Sequence, residues 1–386
     1  MTRDLILVGL SLFTWGLGET AFLSFQPLYL QQLGADPLRI GAIIGSYGLA
    51  ASLVHIPAGY LADKIGRRPM MWAAWIIGAL TTWGMALATS LPIFVTAMLV
   101  YSMTTFVVAP LNSYVASASG KWSVGRMLTL ISACFNAGAI LGPLLGGTIG
   151  ERYGYRAIFL FAASLFLLST AIILLIRSQP TDSPQQEEKG DNLFKNQPFL
   201  IFIFAYFFAT FAMYLPQPLS PNYLQNEQAL NLAQIGQLYS LNGLGIVALN
   251  LILGQLNARL GFLLGQVAVW VFALLLWKGN GIPVYAIAYF LLGGFRAARS
   301  LAIAHIRSII KKSNMGLAFG FAETTTALAL FLAPPLAGYL YGVRPASVFI
   351  VSLVVITISL LFSAALSTQL LFSKKVKDNL PSEEVV

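Results

Sequence analysis

The sequence predicts an all-α membrane protein of twelve transmembrane helices, arranged as two pseudo-symmetric six-helix bundles. Three observations lead there. Hydrophobic residues make up 57% of the 386-residue chain and charged residues only 10%, with a mean hydropathy of +0.76. A soluble chain carries about a quarter charged residues. Twelve apolar stretches reach the length of about 20 residues that a helix needs to cross the hydrocarbon core. Finally, residues of the first half recur in register in the second.

In chain order the apolar stretches are approximately 5–29, 38–62, 69–90, 92–117, 124–148, 155–177, 197–220, 232–257, 260–278, 281–306, 314–339 and 345–372. The first is too long for the apolar core of a secretory leader and no small-residue cleavage pattern follows it, so it is read as a retained span. Between Arg177 and Pro198 the chain turns polar, with Gln185, Glu187, Glu188, Lys189 and Asp191 at its centre. Such a run cannot bury apolar area and reads as a linker. The expected organisation is an N-terminal bundle over 1–177, a cytoplasmic linker over 178–196, a C-terminal bundle over 197–373 and a cytoplasmic tail over 374–386. A single cysteine, Cys134, excludes an intramolecular disulfide framework.

Basic residues set the expected orientation. With the N-terminus inside, 16 Lys and Arg residues fall on the inner side and 5 on the outer, and the remaining two of the 23 lie within a span. The positive-inside bias then puts both termini in the cytoplasm of a multi-pass cell-membrane protein. The net charge of +9 is accounted for by that bias and calls for no nucleic-acid partner.

The internal repeat is the strongest organisational signal. Pro27-Leu-Tyr-Leu-Gln31 is echoed by Pro221-Asn-Tyr-Leu-Gln225. At one offset Ile40-Gly41 matches Ile235-Gly236 and Gly59 matches Gly254; at a nearby offset Gly125, Pro143 and Gly147 match Gly316, Pro334 and Gly338. Parallel six-helix repeats of this kind, related by an axis along the membrane normal, mark a transporter architecture in which helices 1, 4, 7 and 10 lie innermost.

Two motifs sharpen the reading. Between the second and third stretches lies Gly59-x-x-x-Asp63-x-x-Gly66-Arg67-Arg68, and the fifth carries Gly138-x-x-x-Gly142-Pro143-x-x-Gly146-Gly147. With these the chain resembles the major facilitator superfamily, and in particular its twelve-helix multidrug/proton antiporters. The second motif lacks its first glycine, where Thr129 stands. The loop motif is not repeated in the second half, where Ala258 and Phe262 replace Asp63 and Arg67. The resemblance implies that the aspartate contacts helix 11 and holds the cytoplasmic side shut. It also implies that the span-five face, set against Pro334, Pro335 and Gly338 of span eleven, prevents leakage and accompanies export. In physical terms Gly66 is placed to end helix 2 in a left-handed conformation, and an aspartate suits a helix N-terminus. Arg67 and Arg68 fit either that latch or ordinary inner-surface charges. Glycines at every fourth position let helices approach closely, and Pro143 removes a backbone hydrogen bond.

Charge within the spans points to the site, because a midplane charge costs about 3 kcal/mol unless paired or hydrated. Glu19 and Glu323 are the deep acids, Arg296 and Arg299 the deep bases. Glu19 shares a helical face with Trp15, Phe22 and Gln26, expected to line a central cavity, and has no evident cation in the neighbouring stretches. It is the leading proton-carrying candidate, with Glu323 second. Arg299 and Glu323 stand at similar depth on adjacent helices, as an ion pair would, leaving Arg296 for a substrate anion or a second acid. Tyr101, Asn136, Tyr214, Gln217 and Asn242 complete the candidate substrate-contact set, and His305 is expected near the inner interface.

No paired carboxylates, nucleophile elbow, phosphate loop or metal-ligand spacing occurs, so neither an enzyme nor a cofactor or metal is expected. The expected function is proton-coupled export of a small organic or amphiphilic compound by a monomer in the lipid bilayer. The alternatives are symport of an organic anion or sugar, and a non-transporting sensor or scramblase. Replacing Asp63 by Asn should weaken closure of the inner side and lower transport without affecting expression. Spin-label distances across that side, unchanged in population together with unchanged turnover, would refute the latch.

Overall fold

The computed structural model describes residues 2–54, 64–120, 122–178, 196–310 and 314–378, with the side chains of 308, 316 and 366–378 outside that description. Gly59, Asp63 and the linker expected at 178–196, apart from its two end residues, therefore lie outside the described residues.

Eleven helices among the described residues are long and apolar enough to cross a membrane. The remaining span of the twelve, Pro37–Leu53, shows 17 helical residues before the description stops. In the first half span one is Arg3–Leu23 with a short continuation at Gln26–Gln32. Span two is Pro37–Leu53, and span three Arg67–Leu87. Span four is Leu91–Ser102 and Val108–Ala118 joined by a 3-10 turn. Span five is Val124–Tyr153 and span six Tyr155–Ile173. The second half repeats this order. Span seven, Gln197–Tyr214, is continued by Ser220–Asn226; span eight is Leu232–Leu253 and span nine Ala258–Lys278. Span ten is Ile282–Leu292 and Gly294–Ile309, span eleven Met315–Val343 and span twelve Ser347–Asp378. Spans one and seven each break before a short helix, and spans four and ten each break near their middle. The repeat seen in the residues is thus a repeat of backbone shape.

Local chemistry fixes the helix starts. Asp36 accepts a hydrogen bond from the Arg39 amide at 2.9 Å ahead of Pro37, and Asn231 forms a reciprocal capping box with Gln234. These side chains satisfy amide groups that the first helical turn leaves without partners. Gly66 has φ +87°, as the loop motif predicts, but its ψ of 164° is extended and not left-handed helical. It occupies the position directly before span three. Gly154, with φ +82° and ψ 168°, both ends span five, donating its amide to the Gly150 carbonyl, and starts span six.

The two halves meet along two symmetry-related seams. Span five packs on span eight, and span two on span eleven. Both seams bring backbone against backbone: a methyl group on Gly41 would collide with the Pro334 carbonyl oxygen, one on Gly236 with that of Pro143, and one on Gly338 with that of Pro37. This corrects the partner assigned to the span-five face. Gly138, Gly142 and Gly146 lie against Phe13, Leu17 and Ala21 of span one, within their own half, while Gly147 meets Leu232 of span eight. Pro334, Pro335 and Gly338 belong to the other seam. The span-five helix also continues unbroken through Pro143.

Because the Gly41 seam has no room for a side chain, Gly41→Ala should lower the melting temperature of the purified protein; overpacking of this kind costs about 1–3 kcal/mol. Gly320→Ala is the control, since nothing lies within 4 Å of a methyl group there. It should leave stability unchanged or raise it slightly, as alanine is the better helix former by about 1 kcal/mol.

Candidate functional site

Between the halves lies a polar cluster built from both. Span one contributes Glu19, whose Oε1 accepts a hydrogen bond of 2.7 Å from the Tyr101 hydroxyl of span four. Span ten contributes Arg296, whose guanidinium lies within electrostatic range of Glu19, Arg299 and Glu323. Tyr47 of span two and Tyr214 of span seven are close enough to act on these charges and on each other. Arg296 is solvent-exposed, while Ala297 and Ala298 beside it on span ten are fully buried. Arg296, in the other half, acts electrostatically on Glu19 without forming an ion pair with it among the described residues.

Arg299 donates to Glu323 at 2.5 Å, the adjacent-helix ion pair the sequence suggests. Glu323 is half exposed, 53% by side chain, so the pair is screened and contributes modestly. The face expected to direct Trp15, Phe22 and Gln26 into a cavity is instead mostly packed. Phe22 is fully buried, and Trp15 lies 4.3 Å from the Phe166 ring and 4.8 Å from that of Trp75. Gln26 is buried with its Nε2 lacking a hydrogen-bond partner. This aromatic block holds the helix that presents Glu19, which is why Glu19 alone of that face stays half-buried.

The remaining candidates divide. Asn242 donates to the Tyr289 carbonyl at 3.1 Å and ties span eight to span ten. Gln217 bonds back to Met213 at 2.7 Å, closing the end of span seven. Asn136 is half-buried on span five. His305, expected at the interface, is 5% exposed, with its ring 4.6 Å from that of Phe202. Residues that the sequence did not single out for a role include Tyr47, Tyr239 and Tyr289. The rings of Tyr239 and Tyr289 sit 5.1 Å apart, and Tyr289 donates to the Ser220 hydroxyl at 3.0 Å.

The two ends of the molecule differ. At the Gly154 end, Asn222 donates to Gln31 at 2.6 Å and to the Pro27 carbonyl at 3.3 Å, and Asn226 donates to Gln31 at 3.1 Å. Tyr155 donates to Gln225 at 2.8 Å. Glu151, at the end of span five, accepts from the Leu232 amide at 2.9 Å and so caps span eight across the halves. The echoed segments Pro27–Gln31 and Pro221–Gln225 meet here, so the repeat itself was the available signal for this contact. At the opposite end, Arg67 donates to the Ser113 carbonyl at 3.4 Å and to the Ser117 hydroxyl, bracing span three on span four. The Arg68 guanidinium lies 3.9 Å over the Trp72 ring. Both arginines thus hold their own half. Among the described residues, the side-chain hydrogen bonds between the halves all lie at the Gly154 end.

Comparison with known proteins fits this architecture. The Major Facilitator Superfamily family model matches residues 8–264 and 202–382. The chain belongs to this superfamily. A multi-drug resistance efflux pump, PmrA of Streptococcus pneumoniae, is 29% identical over 182 residues, covering 46% of this chain and 45% of that protein. The quinolone resistance protein NorA of Staphylococcus aureus is 23% identical over 184 residues, 47% of each chain. An MFS-type transporter of Methanocaldococcus jannaschii is 27% identical over 192 residues, 50% of each chain. The chain thus matches about half the length of these curated relatives. The crystal structure of the nucleoside transporter NupG superposes with a TM-score of 0.78 at 16% identity, over 95% of this chain and 99% of that one. A bacterial homolog of the lysosomal transporter Spinster gives 0.75 at 14%, over 94% and 96%. At these identities both report the fold.

The amide cluster at the Gly154 end generates a prediction. Replacing Gln31 and Asn222 together by Ala removes the 2.6 Å bond and its neighbours. Spin labels at the exposed Gln32 and Glu227 should then show a larger population of long separations. An unchanged distance distribution would mean that the seams alone hold this end shut.

Proposed function

We propose that the chain is a secondary active transporter exporting a small organic or amphiphilic compound in exchange for protons. The observation that carries this reading is Glu19, a half-buried carboxyl within span one that is held by Tyr101 of span four and acted on by Arg296 of the other half. A carboxyl group so placed can take up a proton from one side and lose it to the other as the halves rock. Arg296 gives the ionised form a counter-charge. On the positive-inside bias the Arg67 end faces the cytoplasm, which makes the hydrogen-bonded Gly154 end the outer gate of the proposed exporter. Similarity to an efflux pump, PmrA, and to a quinolone resistance protein, NorA, supports export as the direction. Glu323, half exposed and engaged with Arg299, is the second proton-carrying group in this scheme.

One proton exchanged per substrate across one pH unit supplies about 1.4 kcal/mol, a tenfold concentration ratio. A second reading, symport of an organic anion, draws on Arg296, whose guanidinium has no direct ion-pair partner among the described residues.

The test uses inverted membrane vesicles acidified inside by an imposed pH jump, with ethidium as the reporter cation. Wild type should accumulate ethidium as the gradient is applied and lose it when the gradient collapses. Glu19→Gln should abolish that accumulation while ethidium still shifts the melting temperature of the purified protein. Gradient-driven accumulation retained in Glu19→Gln would transfer the coupling role to Glu323.

A further inference from the structure

The spacing Gly-x-x-x-acid-x-x-Gly-x-Arg occurs twice in the first half. One copy reads Gly59, Asp63, Gly66 and Arg68, the other Gly147, Glu151, Gly154 and Arg156. Gly66 and Gly154 share a backbone conformation, φ +87° and ψ 164° against φ +82° and ψ 168°, and each directly precedes the next span. Spans three and six start at opposite ends of the bundle. The second copy therefore stands at the end where the halves are hydrogen-bonded.

Each residue of that copy has a mechanical task. Gly147 lies against the Leu232 carbonyl, where a methyl group would collide, so span five comes backbone-close to the first turn of span eight. Four residues later, about one helical turn and 6 Å further on, Glu151 occupies the same face, and its Oε2 accepts from the Leu232 amide at 2.9 Å. Asn231 and Gln234 satisfy each other's amides in that turn, and the carboxylate from the other half adds to their cap. Gly154 turns the chain, and Tyr155 donates to Gln225 at 2.8 Å as a second contact across the halves. Arg156 donates to the Ala86 carbonyl at 3.0 Å and ties the turn to its own half.

We propose that residues 147–156 form a charge latch at the Gly154 end. Its positioning group is the Glu151 carboxylate, which holds span eight of the other half and biases this end towards closure. Aligned peptide dipoles favour an anion at a helix N-terminus. Glu151 is exposed, so the bond forms and breaks without carrying a charge through the apolar interior. The other side-chain contacts between the halves at this end are made by amides and tyrosine hydroxyls, so reversing the charge at 151 acts on one bond. The latch concerns only which end is shut, and it goes beyond the proposed exchange because it holds for any cargo or coupling ion.

The test reads the distance between spin labels at Gln32 and Glu227 of the full chain, in a background of Cys134→Ala and Asn222→Ala. The first change removes the native thiol, and the second weakens the same end so that its open form is populated enough to count. Glu151→Gln keeps the shape and an acceptor oxygen but removes the charge, and should raise the open-to-closed ratio about twofold. Glu151→Lys places a like charge on the helix end and should raise it about fivefold or more. Asp36→Asn is the control, since Asp36 also holds a first-turn amide at this end, that of Arg39 at 2.9 Å, but within its own half. It should leave the ratio unchanged. Should Glu151→Lys fail to yield monodisperse protein, Glu151→Gln decides alone. A Glu151→Gln variant at the background ratio, or an Asp36→Asn variant that shifts the ratio as far, overturns the latch.

Discussion

The two halves of this protein touch through glycine, and the rest of the structure depends on how close that contact is. Gly41 lies on the Pro334 backbone, Gly338 on that of Pro37, and Gly236 on that of Pro143. Contacts of this kind are held by dispersion and shape and carry no directional hydrogen bonds. Two such seams, spans five with eight and two with eleven, keep the halves together on opposite sides. They also leave spans one, four, seven and ten facing one another across the gap, with Glu19, Tyr101, Tyr214 and Arg296 on them. A seam held mainly by shape can roll while staying packed, although the Glu151–Leu232 bond ties one end of the span-five and span-eight seam. Among the described residues the side-chain hydrogen bonds between the halves lie at the Gly154 end, where they add directional contact to the seams.

The same geometry makes two kinds of charge pair. Arg299 and Glu323 are both in the second half, at 2.5 Å, and move together. Glu19 and Arg296 are in different halves, so their separation changes whenever the halves rotate. A fixed pair stabilises a bundle; a divided pair reports its conformation. An isolated charge at midplane costs about 3 kcal/mol or more. Exposure of Arg296 to solvent is what makes the divided pair tolerable.

The fold was legible because its signals are long and redundant. Twelve apolar runs, one polar interruption and two registers of repeated Gly and Pro leave little freedom in helix number or pairing of halves. The charged site residues were legible too, since Glu19, Arg296, Arg299 and Glu323 stand out in apolar runs. What failed to show was partnership. Gly138 and Gly147 announce close approach but not which helix approaches, so a face that serves spans one and eight was assigned to span eleven. Gly66 announces a positive φ but not its ψ, which is extended instead of left-handed helical. Tyr47, Tyr239 and Tyr289 were hidden because tyrosine is common both in packed interiors and at membrane interfaces. Glu151 resembles an ordinary surface acid until span eight is seen to begin at its carboxylate.

Magnitudes limit how the proposed exchange can work. The Gly154 end is held by about five hydrogen bonds between the halves, each contributing on the order of 0.5–1.5 kcal/mol net, with a carboxylate at a helix N-terminus adding about 0.3–1 kcal/mol. Opening that end therefore costs several kcal/mol. Moving a two-state equilibrium from one per cent to ninety-nine per cent takes about 5.5 kcal/mol, and a proton crossing one pH unit yields about 1.4 kcal/mol. Protonation of Glu19 alone is too small to drive the full transition. The balance must come from interactions that differ between the two states, and the divided charges supply one. In the proposed exchange, neutralising Glu19 removes one of the negative charges that act on Arg296 and leaves the site more positive, which would favour release of a cationic substrate. Proton entry and substrate release would then bias the same rotation.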